Sequence, residues 1–146
     1  MRLTLFSDYA LRVLLFAEAA GDRLVTIDEI ADAYGISRPH VMKVVNALTR
    51  SGYLRSVRGR TGGVQLGMPA DEIVLGDVVR ETEPDFALVE CFGSGDQCAI
   101  SRCCKLQGVL NEALEAFMQV LDQRTLASIA LGPRNLRKFL ATDQAR

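Results

Sequence analysis

The sequence predicts a mainly α-helical chain with one small β-hairpin, organised as a winged helix-turn-helix domain plus a long dimerisation helix. Three observations predict it. Two short amphipathic segments meet at Gly35, and the second is basic on its outer face. Two short β-prone runs flank the turn Arg58-Gly59-Arg60-Thr61-Gly62-Gly63. Farther along, Leu106, Leu110, Ala113, Phe117 and Val120 are linked by steps of 4, 3, 4 and 3 residues, a heptad-like seam.

The elements follow in order. Residues 7–20 read as a helix capped by Ser7, with Tyr9, Ala10, Val13, Leu14 and Ala17 at helical spacing and Gly21-Asp22 at its end. Thr26 opens a second helix, and Glu29 three residues later completes a capping box. Ile27, Ile30 and Ala31 form its apolar side, and Gly35 supplies the tight turn. Ser37 caps a third helix reaching Arg50. Its apolar face is Val41, Val44, Val45 and Leu48; Pro39, Lys43, Asn46 and Arg50 lie opposite. Residues 53–57 and 64–66 read as the two strands of the wing. After Pro69 comes a short helix over 74–81. Residues 84–103, with weak periodicity and Gly93-Ser94-Gly95, read as a loop. A long helix covers 104–122, Thr125 starts a short one, and the tail after Leu140 frays. The boundaries are therefore 1–68 for the winged domain, 69–83 for a connecting helix and 84–104 for a cysteine-rich loop. The dimerisation helix takes 105–124, and a short helix with its tail takes 125–146.

A chain of 146 residues, 49% of them apolar, can bury one good core. Its net charge of −1 hides an asymmetry: residues 1–67 carry nine Lys/Arg against six Asp/Glu, whereas residues 68–146 carry eight against twelve. A basic half beside an acidic half points to a local nucleic-acid footprint. The most apolar early run, Val13 to Ala17, is five residues long, too short for a signal core or a bilayer span. A cytoplasmic, non-membrane protein is expected. In that compartment clustered cysteines more often hold metal or sense redox state than form disulfides.

Residues 37–67 contain Arg38, Lys43, Arg50, Arg55, Arg58 and Arg60 and no acid. A helix fits the major groove and offers its outer side chains to base edges. Pro39, Lys43 and Asn46 are placed for that, and Arg38 and His40 in the first turn can reach bases or phosphates. Arg58 and Arg60 on the wing suit the minor groove, whose potential favours arginine. The bland alternative is a solvated basic surface. The coincidence of the acid-free run with the helix-turn-helix and wing favours double-stranded DNA. His40 taken alone reads as a surface residue and a poor metal ligand.

All four cysteines, Cys91, Cys98, Cys103 and Cys104, fall in residues 91–104. No CxxC or CxxH unit is present, which disfavours a zinc ribbon and thioredoxin-type exchange. Loose spacings around glycines suit a larger inorganic cofactor. Spacing alone leaves three readings open: an iron–sulfur cluster, zinc, or structural and redox cysteines.

Four stretches carry a resemblance: Leu3-Thr4-Leu5-Phe6-Ser7-Asp8-Tyr9-Ala10-Leu11-Arg12, Tyr34-Gly35-Ile36-Ser37, Val57-Arg58-Gly59-Arg60-Thr61-Gly62-Gly63 and Ile73-Val74-Leu75-Gly76-Asp77-Val78-Val79-Arg80. With the cysteine array they make the chain, from residue 1 to about 130, similar to the nitric-oxide-sensing repressors (NsrR type) of the winged-helix family that also contains IscR. The resemblance implies a homodimer crossed at the long helix. It also implies an iron–sulfur cluster, 4Fe-4S with 2Fe-2S as the alternative, held by Cys91, Cys98 and Cys104. In that branch a fourth, carboxylate-like ligand comes from the partner's first helix, a position matched here by Asp8 with Arg12 flanking it. Read without the resemblance, Asp8 is a first-turn acid paired with Arg12 at i,i+4. Two features depart from the pattern: six residues separate Cys91 from Cys98, where related chains often have four or five, and Cys103 is an extra thiol. IscR-like relatives place a histidine three residues after the third cysteine; this chain has Gln107 there.

The function implied is that of a non-enzymatic repressor on a palindromic operator, controlled by a cluster that reacts with nitric oxide. The alternatives are a related regulator sensing iron, cluster supply or redox state, and a cluster-free thiol sensor. A cysteine redox enzyme is disfavoured, with no histidine placed near the thiols.

Overall fold

The computed structural model describes residues 2–92, 98–100 and 103–132. The Gly93-Ser94-Gly95 part of the expected loop and the expected frayed tail lie outside the described residues.

Helix α1 spans Leu5–Ala20 and begins two residues before the expected start. The Thr4 hydroxyl, not Ser7, is the cap: it accepts the Ser7 backbone N–H at 3.2 Å. Ser7 itself is fully buried, with its Oγ 3.2 Å from Thr4 Oγ1. A distant carboxylate decides between the two hydroxyls. Glu83 Oε1 accepts from Thr4 N at 2.8 Å and from Thr4 Oγ1 at 3.1 Å.

Helix α2, Ile27–Tyr34, has the anticipated capping box: Glu29 N donates to Thr26 Oγ1, and Thr26 N donates to Glu29 Oε2. Gly35 ends it in the left-handed region at φ 61°, where a Cβ is strained. Helix α3, Arg38–Arg50, buries Val41, Val44, Val45 and Leu48 as their spacing requires. Ser37 precedes it, but its hydroxyl faces His40 Nδ1 at 2.9 Å instead of capping the helix.

Strands β1 (Leu54–Val57) and β2 (Gly63–Leu66) pair antiparallel, Leu54 opposite Leu66 and Val57 opposite Gly63. Val25 adds a bridge to Val64, with N–H···O distances of 2.9 and 2.8 Å in the two directions. Gly62 is needed by the hairpin itself: a Cβ there would run into the carbonyl oxygens of Val57 and Gly59. Helix α4 covers Leu75–Thr82. A single 3-10 turn follows at Glu90–Phe92, then α5 at Lys105–Asp122 and α6 at Leu126–Ile129.

The core lies among α1, α2, α3 and the hairpin, where Leu14, Ile30, Val41 and Leu48 are almost wholly buried. Each such side chain contributes roughly 1.5–3 kcal/mol of transfer free energy. Ile73 and Leu126 join this core with 0% exposure, so residues beyond α5 return to the winged domain. The expected seam on α5 is divided. Leu110 and Phe117 are half-buried against the chain's own surface, whereas Leu106 and Val120 are about 60% exposed. Among the described residues no helix is long and apolar enough to cross a membrane.

Candidate nucleic-acid interface and cysteine corner

Burial of Val41, Val44, Val45 and Leu48 turns the opposite face of α3 outward. Arg38, Pro39, His40, Lys43 and Asn46 are all exposed on it. Arg58 and Arg60 are exposed in the turn between the strands. The structure therefore puts every base- or phosphate-reading candidate at the surface of one helix or one hairpin tip.

Three neighbours of these residues were not legible in the sequence as partners. Asp28, in the first turn of α2, accepts from Arg38 Nε at 2.6 Å at the start of α3. Phe6 lies under Lys43, whose Nζ is 5.7 Å from the ring centroid. Tyr9 tilts against His40 at 6.2 Å between ring centroids. Phe6 and Tyr9 are half-buried, and also back two exposed side chains of α3. Their four-residue run with Asp8 was the only signal, and it says nothing of what the rings touch.

Asp8 and Arg12 form a bidentate pair on α1, with Arg12 Nε 2.9 Å from Oδ1 and Nη2 2.8 Å from Oδ2. The Arg12 guanidinium also stands 5.9 Å from the Tyr34 ring centroid. The pair is partly solvent-exposed, so the Asp8 carboxylate is presented at the surface of α1.

Cys91 sits in the 3-10 turn and Cys104 immediately precedes α5, both half-buried; Cys98 and Cys103 are exposed. None of the four forms a disulfide. Gln107 Nε2 donates to the Cys91 carbonyl at 3.2 Å and ties the turn to the first turn of α5. Cys91, Phe92, Gln107 and Asn111 line an open cavity of about 760 Å³, with Asp85 and Phe86 also on its wall. Cys103 Sγ faces the Ile100 carbonyl at 3.4 Å.

Among the described residues no three His, Cys, Asp or Glu side chains converge as a ready metal site. The chemistry of the donor set nonetheless fits an iron–sulfur cluster: soft thiols outside disulfides within one short segment, with one partly exposed carboxylate on another helix.

Residues 3–131 match the model of a family described as Rrf2, iron-dependent transcriptional regulators. The chain belongs to the Rrf2 family. It is 48% identical to the HTH-type transcriptional regulator NsrR of Bacillus licheniformis, over 97% of this chain and 100% of that one. Among solved Rrf2-like structures, the oxidized form of Staphylococcus aureus CymR superposes with a TM-score of 0.71 at 27% identity, covering 89% of this chain and 96% of that one. T. potens IscR shares the fold, with a TM-score of 0.68 at 23% identity over 88% of this chain and 85% of that one. This Rrf2 protein is therefore a DNA-binding transcription regulator, of a family whose members here are regulators and not enzymes.

Proposed function

We propose that the chain is a homodimeric repressor of a palindromic operator, controlled by an iron–sulfur cluster, most simply 4Fe-4S, that responds to nitric oxide. The observation that carries this reading is the hydrogen bond from Gln107, in the first turn of α5, to the Cys91 carbonyl, with Cys104 immediately before that helix and the helix's outer face apolar and exposed. The 48% identity to the HTH-type transcriptional regulator NsrR of Bacillus licheniformis supports a regulator of that type.

In this reading α3 enters the major groove, with Arg38, Pro39, His40, Lys43 and Asn46 facing base edges and phosphates. Arg58 and Arg60 reach the adjacent minor groove. Cys91, Cys98 and Cys104 would hold the cluster together with Asp8 of the partner subunit, flanked by Arg12. When bound, the cluster supplies the reactivity toward nitric oxide. The chain's own residues do the rest. Asp8 lies between Phe6 and Tyr9, and these rings back Lys43 and His40. A change at Asp8 therefore reaches two groove-facing side chains through one helix. Leu106, Val109 and Val120 offer the apolar face that a second copy would cover.

The test is Asp8→Ala, purified without oxygen beside the wild-type chain, with iron, sulfide and spectra measured and gel shifts run with and without nitric oxide. Loss of cluster content and of the nitric oxide response supports the reading. Unchanged iron, sulfide and spectra remove Asp8 from the ligand set. A wild-type chain that carries no iron yet binds its operator favours a thiol sensor, a second reading supported by exposed Cys103 beside Cys104 and by the likeness to oxidized CymR.

A further inference from the structure

We propose that Gly76, Arg80 and Asp122 form a clasp that sets the angle between the winged domain and α5, and thereby selects the half-site separation that a dimer can bind. The proposal rests on the homodimer reading above, but not on the cluster or its signal.

Gly76 is buried in the first turn of α4, and a Cβ there would collide with the Asp122 carboxylate. The missing side chain is what admits the last residue of α5. Arg80, one turn on, takes both oxygens of that carboxylate, Nη1 to Oδ1 at 2.6 Å and Nη2 to Oδ2 at 2.7 Å. Asp77 approaches the same guanidinium at 3.3 Å. Hydrogen bonding to Arg80 holds the Asp122 carboxyl below its ordinary range. Backbone ties just beyond complete the joint: Leu75 N to Arg124 O at 2.9 Å, Leu126 N to Ile73 O at 2.8 Å, and Ala127 N to Ala70 O at 3.0 Å.

These fastenings all sit at the C-terminal end of α5. At its other end α5 meets the chain through Gln107 and the Cys91 carbonyl, while Leu106 and Val109 are each 60% exposed. The helix is clamped at its C-terminal end and rests on the chain along Leu110, Phe117 and Met118, with its outer face in solvent. Its 18 residues span about 27 Å, so a tilt of about 10° at the clasp moves the far end by about 5 Å. That displacement exceeds the rise of about 3.4 Å per base pair of B-DNA. An exposed ion pair contributes little to stability. A bidentate pair seated in a glycine notch fixes direction, and direction is what two half-sites read. None of the three residues belongs to α3 or the hairpin.

The test uses the full chain and duplexes bearing an inverted half-site enriched from a random-sequence pool by the wild-type chain. Half-site spacing changes one base pair at a time, at fixed salt, because salt alone shifts affinity. The wild-type chain is expected to prefer one spacing over its neighbours by about tenfold, a discrimination ordinary for DNA sites. Asp122→Ala, Arg80→Ala and Gly76→Ala should each flatten that preference below about threefold on the same scale, with single half-site affinity unchanged. Arg80→Lys, which keeps the charge but not the fork, should fall between. Should Gly76→Ala fail to fold by circular dichroism, the two exposed side-chain variants carry the test. A wild-type spacing profile in Asp122→Ala and Arg80→Ala overturns the clasp alone. A flat profile in the wild-type chain removes the palindrome-reading dimer, and the clasp with it.

Discussion

The winged core and the first half of α5 are both rich in leucine and valine, yet they meet opposite fates. Leu14 and Ile30 are 0% exposed, while Leu106 and Val109 are largely in solvent. The core half closes on its own side chains. The cysteine-bearing half is anchored through Ile73, Val78 and Leu126, which join that core, while α5 itself adds polar ties: Gln107 to Cys91 and Arg80 to Asp122. The difference teaches that the packed core and the exposed apolar face of α5 are separated along the chain. An exposed face of this kind can meet another surface without disturbing the buried core.

The harshest way to break this contrast is Leu14→Ala. The site is fully enclosed, so the substitution should cost about 2–5 kcal/mol in denaturant unfolding. A loss below about 1 kcal/mol would mean that the core is looser than its burial indicates.

Leu106→Asp sharpens the contrast from the other side. Its effect on the stability of the single chain should stay within about 0.5 kcal/mol, as for any exposed position. Self-association measured by sedimentation should weaken about tenfold or more, equivalent to about 1.4 kcal/mol. Unaltered association would take this face out of the dimer.

The seam between the two regions comes next. Thr4→Ala and Glu83→Ala each remove the α1 cap network and should cost about 1 kcal/mol. The double variant should cost less than the sum of the two, because both act on one hydrogen-bonded unit. Strict additivity in thermal melts would show that Glu83 does not act through Thr4.

The smallest effect expected is Glu18→Gln. Burial pushes the Glu18 carboxyl up, and its Oε2 finds no hydrogen-bond partner among the described residues. A raised carboxyl pKa in the fold means that the charged form is disfavoured there, so the native state is penalised above that pKa. The amide removes the penalty and should raise the melting temperature near neutral pH by about 1–2 °C. The gain should fade as pH drops below the ordinary carboxylate range, where both states are protonated. An equal gain at acid and neutral pH would assign it to packing instead.

Much of the fold was legible because its signals are local. The Thr26/Glu29 box lies within four residues, the Gly35 stop needs only its own φ, and the buried face of α3 follows from a 3.6-residue period. The α1 cap was not legible. The sequence pointed to Ser7, whereas Thr4 takes the cap and is itself held by Glu83, 79 residues away. The candidate site divides the same way. Charge runs marked Lys43 and His40, but only packing shows Phe6 and Tyr9 behind them. Cysteine spacing marked the loop, but only folding makes Gln107 its fastening.

By itself the sequence determined the order of the helices and hairpin, the outward face of α3 and the chemical kind of the donors. Each of these depends on residues within a turn or two of one another. Tertiary structure decided which face of α5 stays in solvent, how Leu126 re-enters the winged core, and at what angle Gly76 and Asp122 meet. Those outcomes depend on surfaces brought together from distant positions, where shape and the satisfaction of buried polar groups select one arrangement from many that the local pattern allows.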